Sequence, residues 1–144
     1  MVVSGGALSE PEPEGEPDRL TVLVVEDEIL LRMAAAGALR EQGFVVAEAA
    51  NAEEALAILQ SDMNVDVVFS DVNMPGSMDG ICLARIIRAE YPEIKVVVTS
   101  GHVQSAGAAG DVAGFVSKPY NLLTLAAQIE TLCEVGDAKP SGQP

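Results

Sequence analysis

The sequence predicts an α/β fold built on a doubly wound, five-stranded parallel sheet. Three observations carry this. Short apolar runs at residues 20–25, 65–70 and 94–99 alternate along the chain with longer helical patterns. These runs are apolar on successive residues, as strands covered on both faces require. Aliphatic side chains dominate, while aromatics make up 3% and Trp is absent. Parallel strands joined by helices cross over right-handedly, and the common five-strand order is 2-1-3-4-5.

Each element follows from local chemistry. Residues 1–18 alternate acids with Pro and Gly, from Glu10-Pro11 to Pro17-Asp18. Such a segment buries no apolar area and is read as a disordered acidic tail. The first strand, 20–25, is bounded by charge. The Ala- and Leu-rich stretch 28–42 is a helix that closes at Gly43, a C-cap. Residues 44–48 form a short strand. Asn51 and Glu54 have capping-box spacing and open a helix that runs to about Ser61. The third strand is 65–70, and a helix over 79–90 stops ahead of Pro92. Strands follow at 94–99 and 113–117. The last helix, 120–134, carries Leu122, Leu125, Ala126, Ile129 and Leu132 on one stripe that packs on the sheet. Gly101, Gly107 and Gly110 punctuate the interval between, which predicts a short or mobile fourth helix there. The folded domain is thus 19–135, and 136–144 is a flexible C-terminal tail.

Composition narrows the function. The 144-residue chain has a formal net charge of −14, which argues against a nucleic-acid backbone as partner. No apolar run is long enough to span a bilayer, and no secretory signal is evident. Cys82 and Cys133 lack metal-ligand spacing and read as buried free thiols of a reducing compartment. A cytoplasmic location is expected.

The chemistry gathers at strand ends. Glu26-Asp27 ends the first strand, Asp71 the third, and Lys118-Pro119 the fifth. In the predicted order all four charged groups meet at the carboxyl edge of the sheet, where open α/β sheets bind ligands. Three close carboxylates repel one another unless a cation compensates. Mg²⁺ accepts carboxylates, water and phosphate oxygens, so the cluster suits a hard cation and a phosphoryl group.

These residues also carry a family resemblance. Val24-Val25-Glu26-Asp27-Glu28, Asp71-Val72-Asn73-Met74-Pro75, Met78-Asp79-Gly80 and Lys118-Pro119 resemble, in order, the motifs of the receiver domain of bacterial two-component response regulators. The resemblance covers about residues 19–135 and implies a flavodoxin-like fold. It implies Asp71 as phosphoacceptor for the phosphohistidine of a sensor histidine kinase or phosphotransfer protein. It further implies Mg²⁺ held by Glu26, Asp27, Asp71 and the Asn73 backbone carbonyl. Lys118 would pair with Asp71 and then with a phosphoryl oxygen, and Pro119 would follow a cis peptide bond. Thr99 and Ser100 compete as switch hydroxyl; Gly101 after Ser100 fits the family's small residue, which selects Ser100. Phe115 matches the aromatic switch position. Asn73 and His102, close to the site, would tune the lifetime of the acyl phosphate.

Two departures stand out. The loop from Pro75 to Gly80 has one residue more than the common family spacing, and the segment between Ser100 and Phe115 is shorter than usual. No effector domain follows residue 135, so the sequence reads as a stand-alone receiver. It would signal through a downstream protein reader or drain phosphoryl groups from a kinase, and catalyse only its own phosphorylation and dephosphorylation. Three rivals are an aspartyl-phosphate phosphohydrolase, a binding-only pseudo-receiver and a flavodoxin-like cofactor binder. The first needs a general acid two residues after the nucleophile, where Asn73 cannot donate a proton to a leaving group. The intact acids and Lys118 oppose the second, and the few aromatics and the crowded acids oppose the third.

Overall fold

The strands assemble in one sheet of order β2-β1-β3-β4-β5, every neighbouring pair parallel. In chain order these are β1 (Thr21–Val25), α1 (Ile29–Glu41), β2 (Val45–Ala49), α2 (Ala52–Leu59), β3 (Val67–Asp71), α3 (Gly80–Glu90), β4 (Lys95–Ser100), β5 (Gly114–Ser117) and α4 (Leu122–Gly142). This computed structural model describes residues 19–74, 76, 78–101 and 112–142, with side chains as far as Cys133. The order is the one that the alternating pattern predicts, and the fold is flavodoxin-like. The fourth helix expected at 102–110 falls outside the described residues.

The period-two alternation of each strand divides the core in two. Leu23, Val25, Val68, Val96 and Val98 face one layer with Leu83, Ala84 and Ile87 of α3 and Ala52, Ala55 and Leu59 of α2. Val22, Val24, Val67, Phe69 and Val97 face the other, with Ala35 and Leu39 of α1 and Leu125, Ala126 and Ile129 of α4. β3 is buried at every residue because it lies in the middle of the sheet under both layers. Complete burial of aliphatic side chains of this size stabilises the fold by about 1.5–3 kcal/mol each.

Local signals set the helix ends. The Asn51 side chain accepts from the Glu54 amide at 2.8 Å, while the Glu54 carboxylate accepts from the Ala50 amide at 2.8 Å. This is the anticipated box with its return bond shifted by one residue. Gly43 adopts φ 102° just past α1, a conformation that side chains other than glycine's resist. Asp79 caps α3 through the Cys82 amide at 2.9 Å.

Two expectations are corrected. Cys133 is buried, but Cys82 is exposed. Its neighbours Leu83 and Ala84 take the core-facing side of α3 and turn Cys82 outward. The last helix does not end near Glu134; α4 continues through Gly136 and Pro140 to Gly142. A proline in the final turn forfeits only one backbone bond of a helix already established upstream.

Candidate functional site

Parallel strands bring their carboxyl ends to one edge, and four of the anticipated residues meet there. Glu26 follows β1 and is 4% exposed, and Asp71, the last residue of β3, is 5% exposed. Asp27 is exposed beside them, and one carboxylate oxygen from each of the three lies within 4.8 Å of the others. Lys118 follows β5 and reaches across β4. Its Nζ donates to Asp71 Oδ2 at 2.8 Å and approaches Glu26 Oε1 at 3.5 Å. The Lys118–Pro119 peptide bond is cis, as expected.

Backbone donors hold the acids in place. The Asn73 amide donates to Asp71 Oδ1 at 3.1 Å, so both oxygens of that carboxylate are engaged. The Glu28 amide donates to Glu26 Oε2 at 3.1 Å. The residue after Asp71 is tied to the next strand, with the Val72 amide on the Thr99 carbonyl at 2.9 Å. Asn73 itself is exposed at the mouth of the site.

The electrostatics show an excess of negative charge. Burial pushes the Glu26 carboxyl above its ordinary value and the Asp71 charge adds to this, against the opposing pull of the Glu28 amide and Lys118. Burial alone would lower the Lys118 ammonium, but its hydrogen bond to Asp71 and the charges of Asp71 and Glu26 outweigh it, and the net shift is upward. The phenol of Tyr120 is also raised, by burial and then by the Glu26 and Asp71 charges. One lysine against three carboxylates leaves room for a further cation. Mg²⁺ binds oxygens at about 2.1 Å, which places opposite ligands roughly 4.2 Å apart. One oxygen from each of Glu26, Asp27 and Asp71 lies within 4.8 Å of the others, and this close all-carboxylate donor set is of the kind that could hold Mg²⁺.

The hydroxyl candidates fall on opposite faces of β4. Thr99 pairs in register with Asp71, and its Oγ1 is buried with no hydrogen-bond partner among the described residues. Ser100 is also buried, one residue nearer the edge, and its carbonyl accepts from the Lys118 amide at 3.0 Å. Phe115 pairs with Val98, two residues before Ser100, which puts Phe115 and Ser100 on the same face. Phe115 is half-buried against the α2/α3 layer. His102 lies outside the described residues.

Sequence reasoning missed two supporting side chains. Arg32 Nη1 donates to the Glu26 carbonyl at 2.9 Å while its Nε pairs with Glu48 at 3.4 Å, which clamps the turn after β1 to β2. Tyr120 packs edge-on against Phe69 with ring centroids 5.5 Å apart. An Arg among apolar residues early in a helix and an aromatic after Lys-Pro were the signals, and neither specifies a partner.

Comparison with known proteins agrees with this geometry. The family described as "Response regulator receiver domain" matches residues 22–130. The sensor kinase CckA of Brucella abortus is 42% identical over 122 residues, 81% of this chain and 13% of CckA. A putative NtrX-like response regulator of Rickettsia felis is 35% identical over 126 residues, 84% of this chain and 26% of that protein. The chain thus spans about a quarter or less of these curated relatives. Among solved structures, the response regulator TrrA of Thermotoga maritima in complex with Mg²⁺-BeF is similar with TM-score 0.70 and 28% identity, over 78% of this chain and 98% of that one.

Proposed function

We propose that this chain, which belongs to the response regulator receiver domain family, accepts a phosphoryl group on Asp71 from the phosphohistidine of a sensor histidine kinase or phosphotransfer protein. The observation that carries this reading is the 2.8 Å contact between Lys118 Nζ and Asp71 Oδ2 beside the three clustered carboxylates. The Lys118 ammonium holds one oxygen of the Asp71 carboxylate, the group that serves as nucleophile. A carboxylate oxygen attacks phosphorus, the phosphorus–nitrogen bond of the donor breaks, and its electron pair leaves on the histidine nitrogen. The product is an acyl phosphate on Asp71. Lys118 then turns from the carboxylate to a phosphoryl oxygen, exchanging one charge-assisted bond for another. Glu26, Asp27, Asp71 and the Asn73 carbonyl would hold Mg²⁺, which when bound would neutralise part of the incoming phosphoryl charge.

Ser100 lies beside Lys118 and donates its hydroxyl to a phosphoryl oxygen, and Phe115 on the same face reports the change to a protein reader. Asn73 at the mouth of the site and His102 set the rate at which water reaches the acyl phosphate. Three side chains at the start of α1, Ile29, Leu30 and Met33, are large, apolar and exposed, Leu30 by 77%. Their position next to Glu28 and the acidic cluster suits an apolar contact with the phosphodonor protein. Such a donor places the reaction in the cytoplasm. Among the described residues no helix is long and apolar enough to cross a membrane. The chain turns over no substrate beyond its own phosphorylation and dephosphorylation.

Acetyl phosphate with Mg²⁺ is expected to add one base-labile phosphoryl group, observed by mass. Asp71→Asn should remove it completely, and equal incorporation by that variant would refute the assignment. Incubation with candidate kinases, followed by capture of partners of the phosphorylated form, separates a signalling output from simple drainage of phosphoryl groups.

A further inference from the structure

α3 begins with Gly80 pressed against the Asp71 and Val72 backbone. A Cβ built on Gly80 would stand 2.2 Å from the Asp71 carbonyl oxygen, 2.8 Å from Val72 Cα and 2.9 Å from the Asp71 carbonyl carbon. Ordinary carbon contacts begin at about 3.5 Å. All three neighbours are main-chain atoms, so no side-chain rotation relieves the overlap. Gly80 is also bonded there: its amide donates to the Val72 carbonyl at 2.8 Å. That bond closes the loop that begins at Asp71 and contains Asn73. The Asp79 cap on the Cys82 amide fixes the helix end from which the Gly80 amide projects.

We propose that Gly80 is a positioning residue for phosphorylation: its bare Cα lets α3 close the loop after β3 directly on the Asp71 peptide, and so sets where the Asp71 carboxylate and the Asn73 backbone stand. The inference rests on Asp71 being the phosphoacceptor. A side chain at residue 80 must push α3 and the Asp71–Val72 backbone apart by about 1 Å, and a displacement of that size at a reacting centre can cost roughly 10²-fold in rate. It should weaken Mg²⁺ binding as well, because Asp71 and Asn73 lie on the displaced segment.

Gly114 provides a matched control. A Cβ there would also be too close, at 2.5 Å from both Leu132 methyls and 2.7 Å from Leu132 Cγ, but all three are atoms of one side chain, which can swing aside. Gly80→Ala and Gly114→Ala are compared with the wild type in Mg²⁺ titration and in phosphorylation by acetyl phosphate at saturating Mg²⁺, both below the melting transition. For Gly80→Ala we expect Mg²⁺ binding weakened about 10-fold and phosphorylation slowed about 10²-fold, with Gly114→Ala within twofold of wild type in both. A Gly80→Ala protein that melts lower but keeps both constants within twofold of wild type would reduce Gly80 to a folding residue and overturn the proposal.

A measurement on the wild type keeps the test open should Gly80→Ala fail to fold. If the Gly80–Val72 bond must be closed for metal to bind, hydrogen exchange at the Gly80 amide should slow about 10-fold when Mg²⁺ is raised to ten times its dissociation constant. Exchange at that amide independent of Mg²⁺ would overturn the proposal. Failure of the wild type to be phosphorylated at Asp71 would instead refute the reading on which the inference rests.

Discussion

The two ends of the same sheet solve opposite problems. At the amino-terminal edge, the exposed Asp66 accepts from the Thr21 amide at 2.9 Å, and its carbonyl accepts from the Lys95 amide at 3.1 Å. Its carboxylate is in water and engaged with one donor, which is how a strand end is ordinarily finished. At the carboxyl edge, Glu26 and Asp71 are buried side by side with one lysine between them. Burial raises Glu26, and Asp71 raises it further. The first edge closes the fold. The second holds three carboxylates against one ammonium, a repulsion that a further cation could relieve. Acidic residues at strand ends acquire function here through burial and mutual proximity, while the residue type is common to both edges.

Removal of the cation should separate the edges most sharply. Lys118→Ala takes away the ammonium that pairs with the carboxylates of both Asp71 and Glu26. Phosphorylation by acetyl phosphate at saturating Mg²⁺ should then slow by about 10²-fold, as loss of one preorganised charge partner usually does. Asp66→Ala at the opposite edge should leave that rate within twofold of wild type. Comparable losses from both would indicate that global stability, and not the site, governs the rate. Metal binding draws the next distinction. A ligand held by the native acids alone stabilises the fold by about 2.7 kcal/mol at one hundred times its dissociation constant. Melting temperature should therefore rise with Mg²⁺ in the wild type and in Asp66→Ala, and stay flat in Asp27→Asn. A rise in Asp27→Asn equal to that of the wild type would mean general screening of a chain with net charge −14.

Much of this contrast was legible before any coordinates. Apolar runs and helix periods fix five parallel strands, and parallel strands place Glu26, Asp27, Asp71 and Lys118 at one edge by geometry alone. Boundaries slipped by one or two residues where strand and turn share composition. Val65 and Asp66 read as strand, yet β3 begins at Val67 and extends to include Asp71 itself. Other features depend on distances that no local pattern encodes. The closeness of Gly80 to the Asp71 carbonyl arises from how α3 docks against the sheet, and Arg32 reaches Glu26 only because α1 packs beside β2. The extension of α4 through Gly136 and Pro140 runs against local propensity, so a reading built on breakers ended that helix early.

The smallest effect concerns the stored repulsion itself. Because the folded state holds the Glu26 carboxyl above its ordinary 4.5, folding favours the protonated form. That contribution is fully present below 4.5 and is lost as pH rises through the higher folded value, so at neutral pH the buried charge carries its whole penalty. The shift of Lys118 is also upward, from 10.5, so the stability it lends persists through the acidic and neutral range and fades only in alkali. Lys118 therefore cannot account for changes near pH 5. In metal-free solution at pH 7, Glu26→Gln should melt a few degrees above the wild type, a gain of about 1 kcal/mol. The difference should shrink as pH falls toward 4.5, because Glu26 then takes up its proton in the wild type and the buried charge disappears. Saturating Mg²⁺ should reverse the order, because the glutamine supplies a neutral oxygen in place of a charged ligand. Melts at several pH values with and without metal provide the check. Parallel curves for the two proteins, with no crossing on addition of Mg²⁺, would show that the buried glutamate carries no such penalty and that Asp27 and Asp71 hold the cation without it.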